Sequence, residues 1–124
     1  MKERVREMKS AQADADGESE VLTKIAEMPD ADRVLAERFH AIVRKTTPDL
    51  TPRTWYGMPA YSRGDKIVCH FQGASKFKTR YATIGFSTHA NLDDGAMWPV
   101  GFALTKLTRT TEARIRELLT QAVS

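Results

Sequence analysis

Few residues in this chain are able to act as nucleophile, base or metal ligand, and their spacing decides most of what they can do. Cys69 and His70 are an adjacent nucleophile and base. Both fall in a strand pattern, where neighbours project to opposite faces, so the imidazole cannot reach the thiol it would have to deprotonate. With Ile67 and Phe71 at alternate positions, Cys69 reads as a small core residue whose thiol pKa is unperturbed or raised. His40 follows Glu37 by three, a spacing that puts both on one helical face as carboxylate-bridged metal bundles use it. One copy is half of such a site and no second copy exists, so a solvated His near a helix end is expected. His89, Asn91, Asp93 and Asp94 gather hard and borderline ligands within six residues, the best place here for a weakly held divalent ion. A turn capped by Ser87 or Thr88, with both acids in water, accounts for the same residues. The acidic run from Asp14 to Glu18 is no calcium loop, because Ser19 stands where the sharp-turn glycine belongs and Ile25 where the bidentate Glu belongs.

Two further groupings suit binding rather than catalysis. Trp55, Tyr56, Met58, Tyr61, Phe86 and Trp98 concentrate the bulky side chains near one hairpin and one later strand, and aromatic walls with polar tips make small-molecule pockets. The same residues would equally serve as the core face of a sheet. Lys76-Phe77-Lys78-Thr79-Arg80-Tyr81 alternates cations with rings, so a strand here would carry Lys76, Lys78 and Arg80 in a row as an anion rim. Edge strands also carry Lys to prevent aggregation, and no nucleic-acid-binding signature accompanies the row. The chain has no Gly-rich phosphate loop, Ser-His-Asp set or Cys-x-x-Cys motif, which points away from an enzyme.

The elements that must carry these residues follow from periodicity. Val21, Leu22, Ile25 and Met28 repeat at helical spacing until Pro29. Asp30 then stands as an N-cap for a second helix with Leu35, Phe39, Ile42 and Val43 on its apolar stripe, ending before Pro48. Ile115, Leu118, Leu119, Ala122 and Val123 make a third stripe after a cap at Thr110 or Thr111. Between them the period changes to that of strands. Strands are expected over 54–62 and 66–72 around an Arg63-Gly64-Asp65 turn, then over 76–86 and 98–104. Gly57 and Pro59 inside the first argue for a bulge or an edge, and Met58-Pro59 for a possible cis bond. Helices, then an antiparallel meander of four to five strands, then a helix is an α+β order with helices on one face. In the first nine residues only Val5 and Met8 sit at apolar helical spacing, and 10–18 is rich in Ala, Asp, Ser and Gly. That divides the chain into a charged, partly flexible arm over 1–17 and a single domain over 18–124.

Composition agrees with an ordinary globular domain: 124 residues, 41% hydrophobic, 28% charged, net charge +3. One cysteine excludes an internal disulfide, and no apolar run suits a signal peptide or a membrane span, so a cytoplasmic location is expected. The charge is too mild to imply nucleic acid.

Thr54-Trp55-Tyr56-Gly57-Met58-Pro59-Ala60-Tyr61, preceded by Pro48 and followed by Gly64-Asp65-Lys66, Tyr81-Ala82-Thr83-Ile84-Gly85-Phe86 and a final helix after a Leu-Thr step, resembles the YdhG-like family, domain of unknown function 1801. The resemblance covers about residues 20–123. It implies a frataxin-like sandwich and, from some relatives, an iron chaperone that passes exchangeable iron to acceptor proteins from acidic residues. This chain departs from that pattern, since its acids come in pairs (Glu18 and Glu20, Asp30 and Asp32, Asp93 and Asp94) within a basic body. The expectations are therefore an iron-binding chaperone with His89, Asp93 and Asp94 as weak ligands, or a small-molecule or anion-binding module at Trp55, Tyr56, Met58, Tyr61 and Trp98 with Lys76, Lys78 and Arg80 at its rim. Either would act as a monomer or weak homodimer.

Overall fold

The computed structural model describes the backbone of residues 2–124 and the side chains from Asp14 onward; the side chains of Val5 and Met8 lie outside the described residues. The order is α1 (Lys2–Ala26), α2 (Asp30–Thr46), β1 (Thr51–Trp55), β2 (Met58–Arg63), β3 (Lys66–Gln72), α3 (Ala74–Phe77), β4 (Ala82–Phe86), β5 (Gly101–Leu104) and α4 (Arg109–Ala122). All neighbouring strands pair antiparallel in sequence order as one five-stranded sheet. The expected α+β class is what the chain adopts. Val21 and Ile25 of α1, Phe39 and Val43 of α2, and Ile115 and Leu119 of α4 join Tyr61, Cys69, Phe71 and Ile84 of the sheet in one buried cluster.

Several elements differ from what periodicity predicts. Helix α1 runs unbroken through residues 10–18, where a flexible joint was expected. Gly17 is the reason it lies so close to the sheet: a methyl group there would stand 1.9 Å from the Pro52 carbonyl oxygen of β1. Glycine and acids take the stripe positions N-terminal to Val21, so the buried face continues without apolar side chains to advertise it. The N-cap of α2 is Pro29 rather than Asp30. Thr108, not Thr110 or Thr111, caps α4, its hydroxyl accepting from the Thr111 N–H at 3.1 Å.

The strand expected over 54–62 is two strands. Tyr56 (φ 51°) and Gly57 (φ 75°) both take the left-handed region, and Trp55 pairs with Met58 across them. Left-handed backbone at both central residues is the two-residue hairpin geometry that matches strand twist. Glycine adopts it freely and Tyr56 does not, so Tyr56 is the strained member. Pro59 pairs with Thr54 through a trans bond; no cis peptide occurs among the described residues. The pairing of β2 with β3 shifts register between Tyr61 and Ser62. This bulge places Val68 inside beside Cys69 and leaves Ile67 half-buried, so the alternation expected from period two holds at Cys69 and Phe71 and breaks at Ile67. The strand expected over 76–86 begins only at Ala82, because residues 74–77 coil into α3 and Lys78 closes it in the left-handed region (φ 54°). Trp98 lies before β5 rather than in it.

Candidate functional site

Pro29 breaks the helical run between α1 and α2 at one end of the sheet, and the β1–β2 hairpin tip and α3 rise beside that corner. Between them lies a cleft of about 440 Å³, within the range of small-molecule sites. Met28, Met58 and Phe71 give it an apolar floor, and Lys24, Glu27 and Lys76 stand at its rim. Phe71 is fully buried and Met58 is 7% exposed, so the floor is anchored in the interior.

The walls are held by polar contacts that the sequence does not announce. Asp32 projects from the first turn of α2 and is 4% exposed. Its carboxylate oxygens accept from the backbone N–H groups of Ala74 (3.2 Å) and Ser75 (3.0 Å), fastening α3 to α2. Gly73 allows this approach, since a methyl group there would lie 3.1 Å from an Asp32 oxygen. In the same turn, the Lys76 ammonium donates to the Tyr56 carbonyl at 2.9 Å. Helix α3 thus grips the hairpin tip at the residue whose backbone is strained.

The expected site residues are only partly brought together. Met58 and Lys76 share the cleft. Trp55 and Tyr56 stand on the hairpin, ring centroids 4.9 Å apart, with Tyr56 79% exposed. Tyr61 is in the core, edge-on to Phe39 at 5.7 Å. Trp98 belongs to a second, larger but more open hollow of about 670 Å³ beside Phe86, Asp93 and Met97. Lys76, Lys78 and Arg80 form no strand row: Lys76 is helical, Lys78 is the left-handed cap, and Arg80 lies over the Tyr81 ring at 5.6 Å. His89, Asp93 and Asp94 do not converge, for among the described residues no three His, Cys, Asp or Glu side chains are placed to share a metal ion. The His89 N–H instead meets the Ser87 hydroxyl at 3.0 Å, the capped-turn alternative.

Cys69 and His70 do point apart. Burial pushes the Cys69 thiol up to about 12, far from a reactive thiolate. His70 lies on the other face against Trp55 (5.2 Å) and over Gly85, where a methyl group would come within 2.3 Å of the imidazole. Half-buried there, His70 has its pKa lowered by desolvation.

Sequence reasoning missed one constellation entirely. His40, expected in solvent, is 6% exposed. Its Nδ1 is 2.9 Å from the Tyr61 hydroxyl and its Nε2 is 2.9 Å from Glu18 Oε1. With the ring proton on Nε2 facing the Glu18 carboxylate, Nδ1 would accept from the Tyr61 hydroxyl. Burial raises the Tyr61 pKa well above its ordinary value, so the hydroxyl stays a donor. Arg44 extends the chain, with Nε 3.5 Å from Glu18, a forked contact to Asp14 at 2.8 and 3.2 Å, and a bond to the Leu50 carbonyl at 3.0 Å. The order Tyr-His-carboxylate is that of a proton relay. Neither the cleft nor the second hollow is lined by Tyr61 or His40, and the chain links α1, α2 and β2. The signal available was spacing: Asp14, Glu18, Val21 and Ile25 continue one helical stripe, and His40 and Arg44 are one turn apart.

No protein-family model, curated protein or solved structure matches the chain. No helix is long and apolar enough to cross a membrane among the described residues.

Proposed function

We propose that this chain is a small-molecule-binding module whose site is the cleft between the α1–α2 corner, the hairpin tip and α3. The observation that carries the reading is the anchored apolar floor of Met28, Met58 and Phe71 beneath a rim of charged side chains, the pairing of shape and chemistry that ligand sites use. Two members of the aromatic and cationic set expected from sequence, Met58 and Lys76, support it. Kinship with the YdhG-like family rests on the sequence segments alone, and the iron role it implies lacks a convergent ligand set among the described residues.

The chain has five methionines, of which Met28 and Met58 line the cleft. Methyl-labelled methionine therefore gives a direct test. Titration with the apolar dye N-phenyl-1-naphthylamine should shift the Met28 and Met58 methyl resonances saturably and leave Met97 in place. If neither this dye nor its sulfonated analogue 8-anilino-1-naphthalenesulfonate moves either methyl, the reading is wrong.

A further inference from the structure

The charges around the cleft are unequal in what they leave free, and this selects a ligand class. Of the two carboxylates at the cleft, Asp32 is buried with its oxygens accepting from Ala74 and Ser75. Glu27 lies at the exposed rim 3.6 Å from the Lys24 ammonium. A cationic ligand would find one carboxylate consumed and the other already paired. Lys76 is placed differently. It forms no ion pair with a carboxylate among the described residues, and it donates to a carbonyl, that of Tyr56. An ammonium carries three protons, so Lys76 keeps donor capacity after serving the hairpin. A methyl group at Gly57 would lie 2.7 Å from Nζ, which puts the charge directly above the glycine of the turn, itself a lining residue of the cleft. An ammonium held to a carbonyl, with no carboxylate partner among the described residues, at the lip of an apolar floor is complementary to a single anionic head carried on an apolar body.

We infer that the cleft takes an anionic amphiphile, an aromatic or alkyl body seated on Met28, Met58 and Phe71 with one carboxylate or sulfonate head at Lys76. This rests on the proposed function and deepens it. The head is a monoanion, because one unpaired ammonium faces it. Lys24, shared with Glu27, adds attraction without a second dedicated contact. Charge-assisted bonds outweigh neutral ones, and partial exposure discounts the gain.

Two dyes with the same phenylnaphthylamine body separate the inference from the reading beneath it. One is neutral N-phenyl-1-naphthylamine, and the other is 8-anilino-1-naphthalenesulfonate. Each is titrated into the full chain and followed at the methionine methyl groups and by fluorescence. The sulfonate should bind tighter at the methyls of Met28 and Met58 by about fivefold, a preference that weakens with added salt. Lys76→Gln should abolish it, so that the sulfonate and the neutral dye bind with equal affinity to each other, while Lys76→Arg keeps it. Lys106→Gln, an exposed change outside the cleft, should alter neither. Equal affinity for the two dyes at those methyls, or a preference untouched by Lys76→Gln, overturns the inference and leaves the cleft standing. If neither dye moves the methyls of Met28 and Met58, the proposed function itself fails. Sulfonate binding that moves Met97 alone overturns the inference, because it puts the anion in the other hollow.

Discussion

A single added methyl group at Gly17 tests how α1 meets the sheet. In an ordinary helix interior, Gly→Ala stabilises by about 1 kcal/mol, through backbone entropy and better propensity. At Gly17 the new Cβ would sit 1.9 Å from the Pro52 carbonyl oxygen, when real Cβ atoms essentially never come within 3.0 Å of such a neighbour. The neighbour is backbone of a paired strand, so it cannot swing aside. Helix α1 must move away by roughly 1 Å, which loosens the packing of Val21 and Ile25, now at most 1% exposed, and stretches the Glu18–His40 and Asp14–Arg44 contacts. Overpacking of this kind costs about 1–3 kcal/mol, and the weakened polar contacts add to it. Gly17→Ala should therefore reverse the usual sign and destabilise by about 2 kcal/mol net of the helix gain, lowering Tm by roughly 8 °C. The assay is thermal and urea unfolding followed by circular dichroism. Gly101→Ala is the control: Gly101 is a strand glycine with open space around its would-be Cβ, and the change should be neutral or stabilise by up to about 1 kcal/mol. If Gly17→Ala is as stable as the parent or more so, α1 does not rest on β1, and the flexible joint suggested by composition is the better description.

Tyr61→Phe should cost about 1–2 kcal/mol, because it leaves the buried His40 Nδ1 without its donor while preserving ring packing on Phe39; chemical unfolding measures it, and no loss would mean that water reaches the ring. His70, its pKa lowered by burial, should make stability fall as pH drops below the unfolded imidazole value of about 6.5, because the unfolded chain binds the proton first. The loss should continue down to the folded pKa and flatten below it. His70→Phe should remove that part of the slope when urea midpoints are compared across pH, and an unchanged slope would refute the assignment.

The parts of the fold legible in sequence are those where apolar side chains report their own period. The stripes of α2 and α4 and the turn at Gly64 show themselves in this way. Elsewhere the signal was carried by other means. The α1 stripe continues through Gly17, Glu18 and Asp14, which bury by close approach and ion pairing rather than by hydrophobicity, so composition read a linker. The run after Gly73 alternates cations and rings like a strand, yet Asp32, distant in sequence, caps it as a helical turn. That is a tertiary contact overriding a local pattern. The Tyr56-Gly57 turn was hidden for the opposite reason, since a tyrosine stands where left-handed backbone usually calls for Asn, Asp or Gly. Of the cleft lining, the sequence singles out Met58 and Lys76 and not Met28, Phe71 or Lys24, because the cleft is built from five elements whose juxtaposition no spacing encodes.

The same tertiary contacts explain why the cleft is preformed. Asp32 fixes where α3 begins, and α3 is a single turn, so fixing its start fixes Lys76. Lys76 in turn holds the Tyr56 carbonyl, which restrains the strained hairpin tip and with it Met58. The chain of constraint runs from a buried carboxylate through two backbone amides and one ammonium to the apolar floor. Each link is a hydrogen bond of 2.9–3.2 Å, and none needs a ligand to form. A ligand entering such a site has few side chains left to order, and the cost of association falls accordingly. The Tyr61–His40–Glu18–Arg44 chain does the corresponding task for α1, whose last turn supplies Lys24 to the rim. Buried polar groups in this molecule thus act as positioning contacts for a surface that is itself largely apolar, and that arrangement suits recognition more than proton transfer.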